Sequence, residues 1–195
     1  MIAALLLWVI ADAVSIVTPA YPPNAISGGT VVAVMHVTSG AVGGVDILQG
    51  DEPFTEPVRR ALSAWRFGDS ENGDVLAVAS FRTPNLYPTG SPDRNLTGVK
   101  TVAGLAIPTK VVEPAYPANS LGEGSVVLRL SLKETGTVSK VEVLQGMGDL
   151  TGSCVSAVGK WQFLPARNAR GVAVMTQAYA ICVMRRPVLP IKRNE

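Results

Sequence analysis

Along the chain, apolar and polar residues alternate in short runs, and twice the spacing lengthens from every second residue to every third or fourth. From Gly124 to Leu132, Val126, Leu128, Leu130 and Leu132 fall on one side, while Val127, Arg129 and Ser131 fall on the other, which predicts a half-buried strand. Val141 and Val143 oppose Lys140 and Glu142 in the same way, so Glu134-Thr-Gly136 reads as the tip of a β-hairpin. Leu150, Cys154, Val158 and Trp161 then recur at helical spacing, predicting a helix of about three turns that lies across the hairpin's apolar face.

This stretch occurs twice. Pro19-Ala-Tyr21-Pro22 returns as Pro114-Ala-Tyr116-Pro117, Gly29-Thr-Val-Val as Gly124-Ser-Val-Val, Val45-Asp-Ile-Leu-Gln-Gly50 as Val141-Glu-Val-Leu-Gln-Gly146, and Trp65-Arg-Phe67 as Trp161-Gln-Phe163. Collinear matching at domain length argues for duplication of a small domain and against a short-period solenoid. In the first copy the pattern predicts a helical turn over Asn24 to Ser27, strands Thr30 to Val37 and Val42 to Leu48 around a Ser39-Gly40 turn, a helix Glu56 to Trp65, and a last strand Val75 to Phe81. The expected fold class is therefore α+β: two tandem α-β-β-α-β domains, each a small antiparallel sheet with helices packed on it. The divergent first repeat spans 14–82, a linker 83–110, the second repeat 111–186 and a tail 187–195. Val32 and Val34 make the outer face of the first strand unusually apolar. Repeat two, the linker or a second copy of the chain is expected to cover it, which leaves a homodimer open.

At 195 residues, two units of this size each sit near the lower limit for a self-sufficient core. An apolar fraction of 47% excludes a disordered chain. A net charge of +2, with no Lys/Arg run interleaved with aromatics, gives no footprint for nucleic acid. The linker is rich in Pro, Gly, Asn, Ser and Thr, and the tail after Pro187 is expected to be mobile. The apolar segment 1–13 is too short to span a bilayer. It reads as a buried strand, the remnant of a longer upstream helix, or an export signal with Ala11-Asp-Ala13 at its cleavage site.

Catalytic chemistry finds little support. His36 is the chain's one histidine, on the outward set of a strand, where a surface or interdomain role outweighs that of a general base. A lone histidine also argues against a His-rich metal site, and the Gly-x-Ser-x-Gly elbow and the phosphate-binding Gly-rich loop are both missing. The chain is expected not to be an enzyme and to carry no cofactor and no metal. Trp65 and Trp161 hold the same repeat position and read as anchors closing each core, and Tyr21 and Tyr116, each held extended by the following proline, as pins at the entry of each domain.

The ordered set Pro114 to Pro117, Gly124 to Leu132, Gly136 to Leu144 and Ala157-Val158-Gly-Lys-Trp161-Gln-Phe163-Leu-Pro165-Ala166 resembles the C-terminal domain of TonB. Repeat one departs from it after Phe67, where Gly68-Asp69 replaces the x-Pro-Ala of repeat two. The resemblance implies a periplasmic or envelope interaction domain that contacts an extended segment of an outer-membrane transporter by strand addition. It also implies work with the inner-membrane motor proteins ExbB and ExbD, provided a longer native chain carries the anchor and Pro-rich stalk of that family, neither of which is read here. The competing expectation is a structural envelope module without a transporter partner.

Two sites follow. Cys154, on the inward face of the second helix, and Cys182, near the end of the last strand, form a disulfide candidate, the alternative being two buried thiols. In an α-β-β-α-β unit the third strand joins at an edge, so Val172 to Val183 is expected to present an unpaired rail. Met175, Gln177, Ala178, Tyr179, Ala180 and Ile181 are its candidate partner-binding residues, and no charge from Val172 to Met184 protects it. The alternative is that the linker or repeat one already covers this rail.

Overall fold

A computed structural model of the protein describes residues 12–84 and 93–187. The expectations for the apolar run 1–11 and for the tail from 188 onward lie outside the described residues.

The first half contains β1 (Ala13–Ser15), β2 (Gly29–Thr38), β3 (Ala41–Gly50), α1 (Thr55–Ser63), β4 (Arg66–Phe67) and β5 (Gly73–Phe81). The linker adds β6 (Asp93–Asn95) and β7 (Ile107–Val112). The second half contains β8 (Gly124–Leu132), β9 (Val138–Gln145), α2 (Leu150–Val158), β10 (Gln162–Leu164), the short pair β11 (Ala166–Arg167) and β12 (Ala173–Val174), and β13 (Thr176–Met184). The two hairpins, the helix after each and the closing strand fall where the spacing predicts. The expected helical turn at Asn24 to Ser27 forms only a turn and bend, closed by one bond from the Ala25 amide to the Pro22 carbonyl at 3.1 Å.

The α+β class holds, but the two small sheets expected are one. A single eight-stranded sheet runs β1-β4-β3-β2-β5-β13-β8-β9, with β5 and β13 parallel at its centre and their outer neighbours antiparallel. The order β3-β2-β5-β13-β8-β9 reads the same from either end in repeat equivalents, so an approximate two-fold axis runs along the strands. Such an axis puts the two helices on opposite faces. Val31, Ala33 and Met35 of β2 pack with Val58 and Leu62 of α1 on one face, and Leu128, Leu130 and Leu132 of β8 with Leu150, Cys154 and Val158 of α2 on the other.

Each face continues past its own half. Val32 and Val34 are 0% and 1% exposed, in a cluster with Ala106 and Ile107 of the linker and the apolar residues of the second half. The outer face of β2 is thus covered within one chain. On the opposite face, Val127, Tyr179 and Ile181 of the second half share a cluster with Trp65 and Phe67 of the first. The linker strands join the second half's motif strand in a three-stranded sheet, β10-β7-β6. Arg94 of β6 clamps this layer through Nε and Nη2, at 2.9 and 2.7 Å from Oε1 of the buried Glu113.

The likeness of the two halves extends to individual hydrogen bonds. Trp65 donates its indole N–H to the Val17 carbonyl (2.7 Å) and Trp161 to that of Val112 (3.0 Å). Tyr21 and Tyr116 donate to Ser27 and Gly122, at 2.8 and 2.7 Å. The amides of Phe67 and Phe163 reach the carbonyls of the hairpin-tip glycines Gly40 and Gly136 (2.8 and 2.9 Å), tying each helix exit to its own hairpin. Both glycines have positive φ, 74° and 79°. In the first hairpin Ser39 is also left-handed (φ 48°), giving the two-residue turn that matches strand twist.

Candidate functional site

The rail expected to be free on β13 is largely taken. Along its whole length β13 pairs with β8, from Thr176↔Leu132 to Met184↔Gly124. On its other side Tyr179 to Val183 pair with Ala77 to Phe81 of β5. Ala178, Tyr179, Ala180 and Ile181 are buried, Gln177 is partly buried, and Met175, 61% exposed, stands outside the strand. The expectation of an open docking edge at these residues is therefore corrected. The physical reason lies in the likeness of the two halves: each ends in a third strand with an uncharged stretch, Val75 to Phe81 and Thr176 to Met184, and the rail that each would leave unsatisfied is met by the other.

Tyr179 is the side chain that locks this seam. Its ring stands edge-on to Trp65 (5.2 Å between centroids, 89°), with Phe67 at 6.0 Å, and its hydroxyl accepts the Ala13 amide at 3.2 Å. Burial raises its phenol above the ordinary range. A tyrosine of the second half thus fills the core of the first.

Cys154 and Cys182 are both fully buried free thiols that face each other across the α2–β13 contact. A hydrogen bond to Cys154, with burial adding to it, holds the Cys182 thiol well above the ordinary range. They are placed together as expected, but as thiols and not as a bonded pair. Of the remaining motif residues, Trp65, Phe67, Trp161 and Phe163 are buried, Tyr116 is buried with its hydroxyl bonded, and Tyr21, Pro22, Pro117 and Pro165 are partly buried.

With the centre of the sheet closed, its outer strands carry the open rails. β9 ends the sheet on one side, and β3 on the other side meets β4 only at Ala41↔Arg66. The β3 rail is partly spent, since Arg59 of α1 donates to the Val45 carbonyl at 2.6 Å. On β9, Glu142 accepts from Arg129 of β8 at 2.9 Å, a bond that holds its carboxyl below the ordinary range, and Arg129 also pairs with Asp12. His36 sits on the surface between Asp74 (Nδ1, 2.7 Å) and Asp46 (Nε2, 3.1 Å), with its side chain 42% exposed. Those hydrogen bonds, Asp74's first, raise its pKa above the ordinary value. The signal for the outer edges was present in the sequence, as the charged set Lys140 and Glu142, but the apolar third strand drew the prediction away from them.

The protein is of the α+β class: two halves with the same β-β-α-β element order share one sheet through their third strands. Residues 112–181, from the end of β7 to within β13, match the family model described as the Gram-negative bacterial TonB protein C-terminal. This part of the chain is a TonB C-terminal-like domain. No curated protein and no solved structure matches the chain. No helix among the described residues is long and apolar enough to cross a membrane.

Proposed function

We propose that this chain is an envelope protein–protein interaction module that takes an extended segment of another envelope protein, such as an outer-membrane transporter, onto an edge of its fused sheet. The observation that carries this reading is the match of residues 112–181 to the TonB C-terminal family. Because β5 occupies the β13 rail from Tyr179 to Val183, the incoming segment uses an outer rail, where main-chain hydrogen bonds supply affinity and alternate side chains supply selectivity. A contribution to energy transduction with ExbB and ExbD would require a membrane anchor joined to this module.

The test is capture from solubilised envelopes with photo-crosslinking groups placed at Gly43 of β3 and Ser139 of β9. Crosslinking of an extended transporter segment at either position supports the reading; crosslinks confined to β13, or no transporter retained, overturn it. A second reading is favoured by the β5–β13 seam itself: the first half serves as the permanent occupant of the second half's docking rail, leaving a structural module without a transporter partner. Failure of capture leaves that reading standing.

A further inference from the structure

The structure assigns the β9 edge to a second copy of this chain: we propose that two copies join β9 to β9, antiparallel, about a two-fold axis through Val141. β9 ends the sheet, with no strand beyond it among the described residues; only the preceding Thr137 is bridged, to Gln162. From Lys140 to Val143 its register against β8 is regular, Ser131↔Lys140, Leu130↔Val141, Arg129↔Glu142 and Leu128↔Val143. Val141 and Val143 therefore share the α2 face with Leu130 and Leu128, and Lys140 and Glu142 share the other.

Such a strand is complementary to itself in one register. Laid antiparallel about Val141, it sets Lys140 opposite Glu142 of the second copy, and Glu142 opposite Lys140, with the two Val141 side chains side by side. Side-chain parity forbids a shift of half a step, because opposed residues must share a face. The two neighbouring registers centre on Glu142 or on Lys140 and place like charges directly opposite each other, which is destabilising. Charge thus picks the register.

The side chains are ready for the exchange. Glu142 uses Oε1 for Arg129 at 2.9 Å, while its Oε2 has its own Lys140 only at 3.5 Å, the outer limit of a hydrogen bond. That loosely held oxygen can exchange its own Lys140 for the ammonium of the second copy. On the α2 face, Val143 and Met147 leave an apolar lip, 44% and 38% exposed, that the second copy would help to cover. The equivalent β3 lacks all of this: Gly43 and Gly44 replace side chains, Asp46 is tied to His36, and Arg59 occupies the Val45 carbonyl. Dimerisation through β9 leaves β3 as the remaining outer rail.

Sedimentation equilibrium of the purified chain tests this without any envelope partner, so its outcome is separate from capture. The mass is expected to rise with concentration from 20.4 kDa towards twice that value. Lys140→Glu and Glu142→Lys each turn two attractive cross-strand pairs into two repulsive ones and should weaken self-association roughly ten-fold or more. An equimolar mixture of these two variants should associate again, and so should the double variant K140E/E142K, whose circular dichroism and Tm show whether it folds. A wild-type chain that stays at the monomer mass overturns the proposal. So does a dimer that Lys140→Glu leaves as tight as before, since that interface lies elsewhere.

Discussion

A handful of residues hold positions that no other side chain could take without a measurable penalty. A Cβ on Gly136 would overlap the Phe163 carbonyl, and its φ of 79° is one that L-residues avoid. Gly136→Ala should therefore lower stability by about 2 kcal/mol or more in denaturant melts, and most of that loss should appear as detachment of β10 from the hairpin tip. His36 makes a pH-dependent contribution whose sign follows from its raised pKa. The protonated ring is favoured in the folded state, so the added stability is complete below the ordinary value of about 6.5 and is lost as pH rises through the folded value. Wild-type Tm should fall across that window and that of His36→Gln should not, while NMR follows the chain's one imidazole directly. The facing Cys154 and Cys182 thiols should close to a disulfide once the chain is in an oxidising compartment, adding roughly 3 to 4 kcal/mol on the chain-entropy view. Unreduced protein two hydrogens lighter, with a Tm that falls on reduction, is the expected result; two thiols that alkylate after unfolding without reductant would show a purely packed pair.

At the scale of elements, the strands and helices were legible because their signals are local. The alternation in Val126 to Leu132 and the helical spacing from Leu150 to Val158 belong to single segments, and the repeat let one half check the other. The position of each strand within the sheet was not legible. An uncharged run such as Ala178 to Val183 reads alike whether its second rail meets water or another strand, and the deciding partner, Ala77 to Phe81, lies far away in sequence. The polar β6 carries no apolar alternation to announce it. Nor did Glu113, flanked by valine and proline, signal that it would be buried. Its ion pair with Arg94 fastens β6 against β7, so Arg94→Ala should remove the guanidinium from a buried carboxylate that otherwise has the Thr83 amide, at 3.4 Å, and the nearby charge of Arg82. A loss of about 2 to 3 kcal/mol is expected, somewhat below that for a fully buried pair because the Arg94 side chain is 29% exposed. Double-mutant cycles with Glu113→Gln would separate the pair from the packing.

For the molecule as a whole, the fusion explains how two units near the lower size limit become one stable body. Each contributes a face of the shared sheet to the other's core, so neither hydrophobic cluster belongs to one half. A chain restricted to residues 111–187 should accordingly expose Tyr179 and the β13 rail to solvent. It is expected to self-associate or precipitate at concentrations where the full chain does not, as light scattering would show. If that fragment instead stays soluble and monomeric with an unchanged Tm, the first half contributes nothing to the second half's stability.

The parallel seam also sets an order in time. β5 is complete once residue 81 is made, but the strand that covers it runs to residue 184, after the linker, the second hairpin and α2. Throughout synthesis the growing chain therefore carries an apolar strand end, Val75 to Phe81, with one side bare, and the contact that hides it spans most of the sequence, which makes it slow to form. A ribosome that stalls before β13 releases a product with a sticky, uncapped edge, suited to proteases or to a holding chaperone and not to accumulation. The last described strand thus works as a seal on everything made before it.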